Sequence, residues 1–442
     1  MTMTPASGPA GPDAVTDHRA TLRLSRLLKR LVADHDGEPL GRLSDVIVRL
    51  RGADYPLVTG LVAAVGSGRK VFVPAEQVSD LEADPLRLSS AKLDLRRFER
   101  RDGEVLLRAD VLGHRLIDVA NARLVRAADL ELARDNGGWA LAGVDTRHRP
   151  RRLLGLLGPE AEPANVQFRD WHDFEWLIGH AGSALLRGPF ARVRRLKPAQ
   201  IADLLEEASK EEESEILGRV HADPELEADV FEELDEEQAT RLLGARTDPE
   251  IAAVLSRMRA DDAADAIGEL PQSRRQPVLD LLPAGQRAKV LTLMGYNPAS
   301  AGGLMAVDYV TAPTMATVAE ALEKIRQAAA VQPEALTSVH AVDADGGLRG
   351  VAHLVKLLQS PPSAALIEVS DTDPVRVGAD TDVMDVAVLM TDYNLITIPV
   401  VDSERRLLGV ITVDDVLEVT LPEDWRRREA AEPPDARYGD EW

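Results

Sequence analysis

The stretch that most constrains the fold is residues 396–418, near the C-terminal end of the 442-residue chain. It begins with the β-branched residues Ile398, Val400 and Val401, which favour a buried strand. The polar run DSERR then predicts a turn, and LLGVITV predicts a second strand. A helix is expected to begin near Asp415. The stretch therefore predicts an α/β element of strand, turn, strand and helix.

A hydroxyl and a carboxylate meet where this second strand ends, because Thr412 lies three residues before Asp415. Such a pair can receive the ribose and phosphate of a nucleotide, or it can simply cap the helix. The run GVITVDD resembles the signature of a CBS domain. The resemblance implies that Thr412 and Asp415 bind ATP or another adenine nucleotide. Helix capping without a ligand stays open as the alternative.

The same pattern occurs earlier in the chain, in SVHAVDADGGLRGVAHLVKLL. The two copies predict a CBS pair, CBS 1 at residues 296–366 and CBS 2 at residues 367–421. His353 and Lys356 occupy in CBS 1 the places that the hydroxyl and the carboxylate have in CBS 2, so we expect at most one nucleotide per chain. CBS pairs of this kind meet across a two-fold axis, and the resemblance therefore implies a homodimer.

Charge is distributed unevenly. The whole chain has a formal net charge of −22, with +5 in residues 1–197 and −27 in residues 198–442. The acidic part would repel phosphates, which excludes general nucleic-acid binding. It can attract hard cations such as Mg²⁺, or it can serve as a soluble surface.

Several classes of protein are disfavoured by what the sequence lacks. There is no cysteine, which excludes disulfides and thiol catalysis. No run approaches the roughly 18 apolar residues of a membrane span, and residues 1–20 do not resemble a secretion signal. No Ser-His-Asp order, HExxH or phosphate loop appears. We therefore expect a soluble cytoplasmic protein that is not an enzyme, with a disordered leader (1–20) and a mobile tail (422–442).

Residues 21–158 contain two related β patterns, at 21–100 and 101–158. In each, an apolar strand precedes a glycine, a short strand follows, and an Asp-Val pair closes the pattern (Asp45 and Asp118). The tandem resembles PRC-barrel domains, which are small β-barrels that bind proteins, and this implies an unidentified protein partner. A connector at 159–195 follows, whose WHDFEWL run predicts one apolar helical face.

Residues 196–295 form an internal repeat of short helical motifs, spaced 11 to 13 residues apart. Each motif has apolar residues three and four apart, and prolines stand where helices should begin or end. Eight short helices stacked in pairs would make an all-α superhelix. The motif anchors are Ala202, Glu215, Ala228, Ala239, Ala252, Ala264, Gln276 and Ala288.

The junction LMGYNPASAGGLMAVDYVTAP and the preceding MRADDAADAIGELP resemble the cytosolic part of MgtE-type magnesium channels, in which a helical N domain precedes a CBS pair. The chain is expected to keep that sensor and to lack the pore. Asp261 and Asp265 lie at i and i+4 on one helix face, where a bound cation would relieve their repulsion. The resemblance implies that they bind Mg²⁺ with carboxylates of the CBS pair. The candidates there are Asp380, Asp382, Asp402, Asp414 and Glu418.

These observations predict a multidomain protein with N-terminal small β-barrels, an all-α superhelical repeat and a C-terminal α/β CBS pair. Its predicted function is that of a regulatory or adaptor protein that senses magnesium, with an adenine nucleotide as a second candidate ligand. Two alternatives stay open. The acidic residues can form a solvated face without a metal, and the chain can be an interaction scaffold whose CBS ligand site has decayed.

Overall fold

The structure is a computed structural model. It describes residues 20–147 (except 53, 67, 90–95, 102 and 136–137), 168–177 and 193–421 (except 330). The predicted tail, the leader apart from Ala20, and most of the predicted connector lie outside the described residues. The chain divides into two compact parts, residues 1–226 and residues 227–442, and each is described by itself below.

The N-terminal part is built on two long antiparallel strands, β3 and β4, whose pairing shifts register at three places. Such bulges bend a strand and increase its twist. Gly41 lies inside β3 rather than between strands. A Cβ atom at this position would come within 2.0 Å of the Ala64 carbonyl oxygen, which explains why the residue is a glycine. The first strands are β1 (Thr21–Arg23), β2 (Leu31–Ala33), β3 (Pro39–Arg51), β4 (Asp54–Val65), β5 (Arg69–Pro74), β6 (Leu86–Arg87) and β7 (Glu104–Leu106), with a short helix α1 (Leu24–Leu27) after β1.

Strands from both predicted β patterns join one sheet. β10 pairs with β1, β11 pairs with β4, and β7 pairs with β3. One apolar core runs from Leu24 to Trp176. The boundary at residue 100 therefore divides the sequence repeat but not the sheet, and the PRC-barrel resemblance stays a prediction. The remaining strands are β8 (Arg115–Asp118), β9 (Arg123–Arg126), β10 (Asp129–Asp135), β11 (Gly138–Asp145), β12 (Arg169–Asp170) and β13 (Phe174–Trp176).

The repeated Asp-Val pairs have a structural role. The buried Asp45 carboxylate accepts hydrogen bonds from the backbone N–H groups of Val46, Arg108 and Ala109, at 2.8, 2.8 and 3.1 Å. Asp118 is fully buried and pairs with the guanidinium of Arg169. Because a buried carboxylate is costly unless it is hydrogen-bonded, both aspartates serve the packing of the fold, Asp45 in the large sheet and Asp118 in a separate three-stranded sheet of β13, β8 and β9.

The predicted helix at WHDFEWL is wrong. Residues Trp171–Asp173 form one 3-10 turn, and Phe174–Trp176 form strand β13, antiparallel to β8. Phe174 and Trp176 alternate with a half-buried residue, which is the period of a strand. Seven residues fit both the helical and the strand period, and pairing with β8 decides between them. These aromatic side chains pack into the core of the N-terminal part.

Eight α-helices lie between residues 193 and 299, all of which the structure describes, and each contains one predicted anchor. Pro198 and Pro224 are the first residues of two of these helices, and a capping box of Ser209 with Glu212 begins another. The boundary between the two parts falls within the third helix. The helices are α2 (Pro198–Glu207), α3 (Lys210–Val220), α4 (Pro224–Glu232), α5 (Glu236–Gly244), α6 (Asp248–Leu255), α7 (Ala260–Glu269), α8 (Gln272–Leu281) and α9 (Ala284–Leu293).

The CBS pair consists of two three-stranded sheets with the same connections. In each, a short strand lies parallel to a central strand, which lies antiparallel to a third strand. The central strands meet through a 3.1 Å hydrogen bond between the hydroxyls of Ser338 and Thr397. The strands are β14 (Thr311–Pro313), β15 (Ser338–Val342) and β16 (Leu348–His353) in CBS 1, and β17 (Val377–Gly378), β18 (Thr397–Val401) and β19 (Leu407–Thr412) in CBS 2.

The helices of the CBS pair flank these sheets as the sequence predicted. The junction after α9 is held on CBS 2, because the N–H groups of Ala301 and Gly302 donate to the carbonyls of Thr381 and Ala379. The helices are α10 (Ala301–Leu304), α11 (Val318–Gln327), α12 (Leu354–Gln359), α13 (Leu366–Val369), α14 (Val383–Tyr393) and α15 (Val413–Thr420).

Candidate cation and nucleotide site

Thr412 and Asp415 form a capping box at the start of α15. One oxygen of the Asp415 carboxylate accepts hydrogen bonds from the N–H and the hydroxyl of Thr412, at 3.1 and 2.5 Å. Thr412 is fully buried and Asp415 is 4% exposed. The structure thus gives both residues the capping role that the sequence left open beside nucleotide binding.

The other Asp415 oxygen accepts a hydrogen bond of 3.1 Å from the guanidinium of Arg259, which precedes α7. The same guanidinium donates to Asp262 at 2.5 Å, and the Arg259 backbone N–H donates to Glu232 at 2.6 Å. Glu418, one turn beyond Asp415 on α15, lies 4.0 Å from the guanidinium. Arg259 therefore joins helices α4 and α7 of the repeat to α15 of CBS 2.

We call this group the Arg259 cluster; its members are Arg259, Glu232, Asp261, Asp262, Asp415 and Glu418. One cation thus stands among five carboxylates. Burial and the negative charge of its neighbours raise the pKa of Glu232 to about 7. Burial also raises the pKa of Asp261, whose carboxyl is close enough to Arg259 and Asp415 to be affected by both. The cluster is short of positive charge.

A neighbouring residue of CBS 1 also reaches Arg259. The amide oxygen of Gln332 accepts from the guanidinium at 2.7 Å in the amide orientation that satisfies both side chains. Arg259 therefore contacts segments of both CBS domains. The sequence did not predict a residue that contacts both CBS domains.

The structure brings together only some of the predicted metal ligands. Asp261, Asp415 and Glu418 belong to the Arg259 cluster, whereas Asp265, one turn further along α7, lies beside Glu236 and Glu269.

The other four candidates in the CBS pair lie outside the cluster. Asp382 caps α14 by accepting from the Met384 N–H at 2.8 Å, and Asp402 holds its turn by accepting from the N–H groups of Glu404 and Arg406. Asp380 and Asp414 are exposed, and their carboxylates make no hydrogen bond within the described part of the chain. Their role as metal ligands stays a prediction.

Sequence reasoning missed Arg259, Asp262 and Glu232. Arg259 and Asp262 are three residues apart, a spacing that permits an ion pair, so the pair was visible in the sequence. Glu232 was not visible, because 27 residues separate it from Arg259 and only the packing of helices brings them together.

The carboxylates of the cluster do not converge on one point. Within the described ranges, the single group of three possible ligands within 4.8 Å of one another is Asp34, His35 and Asp36, in an exposed turn. The Asp34 carboxylate there accepts from the N–H groups of Asp36 and Glu38, so it organises the turn itself.

Comparisons with known proteins identify the families that the helical repeat and the CBS pair resemble. The family model of the MgtE intracellular N domain matches residues 196–299, and the CBS domain model matches residues 366–422. The magnesium transporter MgtE of Thermus thermophilus is 38% identical over 186 residues, which is 41% of each protein. MgtE of Bacillus subtilis is 26% identical over 52% of this chain and 51% of the transporter. The chain thus spans about half or less of these relatives.

Two solved structures are also similar. One is the cytosolic domain of the Mg²⁺ channel MgtE in complex with ATP, with 33% identity, a TM-score of 0.49, and coverage of 51% of this chain and 92% of that one. The other is the soluble part of a magnesium transporter, with 24% identity, a TM-score of 0.48, and coverage of 52% and 89%.

The resemblance of the helical repeat and the CBS pair to the cytosolic part of MgtE is therefore confirmed. These families are regulatory rather than catalytic in type. Within the residues that the structure describes, no helix combines the length and the apolar character needed to cross a membrane.

Proposed function

We propose that the chain is a cytoplasmic regulatory protein that senses Mg²⁺ through the contact between its helical repeat and CBS 2, in connection with magnesium transport. The observation that carries this proposal is the Arg259 cluster, where five carboxylates share one guanidinium. Bound Mg²⁺ keeps several of its waters and needs only one or two carboxylates, so the ligands need not converge beforehand.

The proposed response follows from repulsion between carboxylates. Arg259 offsets only part of the negative charge, so α7 and α15 repel each other when no further cation is present. A cation that binds only the closed arrangement stabilises it by about 2.7 kcal/mol at one hundred times its dissociation constant. That is sufficient to shift a balance of open and closed forms about a hundredfold.

The test is small-angle scattering and limited proteolysis of the full chain in millimolar Mg²⁺ and in chelator. We expect a smaller radius and slower cleavage near residues 294–305 with Mg²⁺. Asp261→Asn with Asp265→Asn should be partly closed without Mg²⁺ and respond weakly. Asp385→Asn with Asp392→Asn, which removes two exposed carboxylates from α14, is the matched control. An identical radius and cleavage pattern of the wild-type chain in both buffers would favour the scaffold alternative.

We also propose that an adenine nucleotide binds at Thr412 and Asp415. The supporting observation is the hydroxyl–carboxylate pair between β19 and α15, which CBS 1 lacks because His353 and Lys356 are exposed there and form no capping pair. Calorimetry with ATP should give one site per chain. Asp415→Asn should abolish that site and Lys356→Ala should leave it intact; two sites, or equal loss in both variants, would contradict the assignment.

We further propose that the CBS pair forms a homodimer, and that the N-terminal sheet binds a protein partner. Four apolar side chains of α14 and α15 are roughly half exposed, which supports an interface on these helices. They are Met384, Val388, Leu417 and Val419. Light scattering should give twice the monomer mass at micromolar concentration, and Met384→Glu with Val388→Glu should give the monomer. A monomeric wild-type chain would refute the dimer.

A further inference from the structure

A groove of about 520 Å³ opens in the helical repeat, between helices α5 and α7 and the junction that follows α9. Apolar side chains line its floor, among them Phe231, Met258, Leu293 and Met294. Small residues such as Ala239 and Gly268 leave the space open. The groove is thus an apolar trough that the described residues do not fill.

The rim of this groove is acidic. Asp262, Asp265 and Glu269 follow one another at i, i+3 and i+7 on α7, and Glu236 faces them from α5. The side chains of Glu236, Asp265 and Glu269 make no hydrogen bond or ion pair with any described residue. Burial, followed by repulsion from Glu236 and Glu269, raises the pKa of Asp265 to about 6. Arg275, the one cation of the lining, donates instead to the carbonyl of Leu270 at 2.8 Å.

A metal ion alone would leave most of this groove unused. The rim carboxylates are spread along two turns of α7, beside an apolar floor. An apolar floor would also contribute no ligand to a hydrated ion. The fitting ligand instead carries several positive charges about one helical turn apart, together with an apolar face.

We propose that the acidic groove binds a cationic amphipathic α-helix of a partner protein. Lysines or arginines three and four residues apart on such a helix repeat at the same spacing as the acidic stripe of α7, so each can meet a carboxylate. Its apolar face would cover the floor. Met258 and Met294 suit this role, because unbranched thioether side chains adapt to varied apolar surfaces.

The proposal concerns a different ligand from Mg²⁺. The groove shares Asp262 with the Arg259 cluster, and Asp265 was predicted as a metal ligand, so the test changes Asp265 and Glu269, which lie outside the cluster. The probe is the fluorescein-labelled amphipathic peptide LKKLLKLLKKLLKL, and fluorescence anisotropy measures its binding to the full chain. A peptide of the same composition in an order without an apolar face is the control probe.

The amphipathic peptide should bind more tightly than the control peptide. Asp265→Asn with Glu269→Gln removes two carboxylates from α7 and should weaken binding about fivefold, since each exposed pair contributes roughly 0.5 kcal/mol. Asp385→Asn with Asp392→Asn removes two exposed carboxylates from α14 and should change it little. Met294→Gln should weaken binding through the floor alone.

Three results would overturn the proposal. The first is absence of binding, and the second is equal binding of both peptides, which would mean charge attraction without a groove. The third is equal weakening by the α7 and α14 variants. A Mg²⁺ titration of the α7 variant separates the two functions: loss of the Mg²⁺ response with unchanged peptide binding would assign Asp265 to the metal and refute its role here.

Discussion

CBS 1 and CBS 2 share one backbone plan and differ in what their last helices contact. The central and final strands pair in the same register, with an irregularity at equivalent places, between Ala341 and Val342 and between Val400 and Val401. The helix after the final strand differs: α15 begins with a buried capping box that holds Arg259, whereas α12 begins at the exposed His353. The fold is thus maintained by strand register, whereas a last helix that contacts the helical repeat is found in CBS 2, through Asp415 and Arg259.

The largest expected effect comes from removing Arg259, whose guanidinium pairs with Asp415 of CBS 2. Arg259→Ala leaves five carboxylates without their guanidinium, and we expect a loss of about 3 kcal/mol in the local stability of α7 and α15. Hydrogen exchange of the amides in these helices measures it.

The matched change in CBS 1 is Arg349→Ala. Arg349 is exposed and pairs with Asp343, so the loss should be about 0.5 kcal/mol. Equal effects of the two variants would mean that the Arg259 cluster contributes no more than a surface ion pair.

A second pair of variants tests the shared backbone plan. A Cβ at Gly409 would lie 2.6 Å from the Met305 side chain and 2.9 Å from the Ala306 carbonyl oxygen; one at Gly350 would lie 2.8 Å from the Ser370 Cβ. Gly409→Ala and Gly350→Ala should therefore each lose about 2 kcal/mol in denaturant unfolding.

Gly285→Ala, at an open position of α9, is the control for the glycine variants. It should be neutral or gain up to about 1 kcal/mol, because alanine favours a helix more than glycine does. If Gly409→Ala behaved like this control, the close approach of the junction to β19 would be refuted.

A third prediction concerns pH. Burial, together with the negative charge of Asp229 and Asp261, raises the pKa of Glu232 in the folded protein to about 7, against the opposing effect of Arg259. Its contribution to stability is therefore complete below about pH 4.5 and is lost as the pH rises toward 7. The unfolding free energy should fall by about 1 to 2 kcal/mol between pH 5 and pH 7.

Glu232→Gln should remove the share of that pH dependence that Glu232 contributes, while Asp261 and Asp265, whose pKa values are raised to about 6, retain theirs. CBS 1 offers the contrast, because the backbone N–H groups of its turn lower the pKa of Asp343. Its contribution is present above its ordinary pKa and is lost only at strongly acidic pH. Unchanged pH dependence in Glu232→Gln would show that another carboxylate carries the effect.

The smallest expected effect comes from comparing the first turns of α15 in CBS 2 and α12 in CBS 1. Asp415→Ala removes the cap of α15 and should cost about 1 kcal/mol, since the loss of a charge from a crowded acidic cluster offsets part of the lost hydrogen bonds. Lys356→Ala, at the equivalent exposed position of α12, should cost less than about 0.5 kcal/mol. Thermal unfolding distinguishes the two variants. Equal shifts of the midpoint temperature would contradict the proposed difference between the two helix starts.

The sequence predicted the regular elements well wherever the signal was local. Each of the eight helix anchors lies in its own helix, and the strand–turn–strand–helix pattern of CBS 2 occurs as predicted. The interpretation of WHDFEWL failed because strand pairing with β8 is a contact between distant residues, which a short run cannot reveal.

The candidate site was predicted less completely for the same reason. Asp261 and Asp265 were assigned to one face from their spacing, yet neighbouring helices give them different surroundings: Arg259 and Asp415 for the first, Glu236 and Glu269 for the second. Which partner faces each side of α7 depends on tertiary packing rather than on helical periodicity.

The pairing of β1 with β10 has a consequence for protein synthesis. Thr21 lies opposite Ala133, and the core that they help to close also needs Phe174 and Trp176. At about 5 to 20 residues per second, Phe174 is made roughly 8 to 30 seconds after Thr21. The first strand therefore emerges from the ribosome long before its partner, and until then its apolar neighbours are exposed to chaperones. Each helix of the repeat, in contrast, meets a neighbour within a few seconds of its own synthesis.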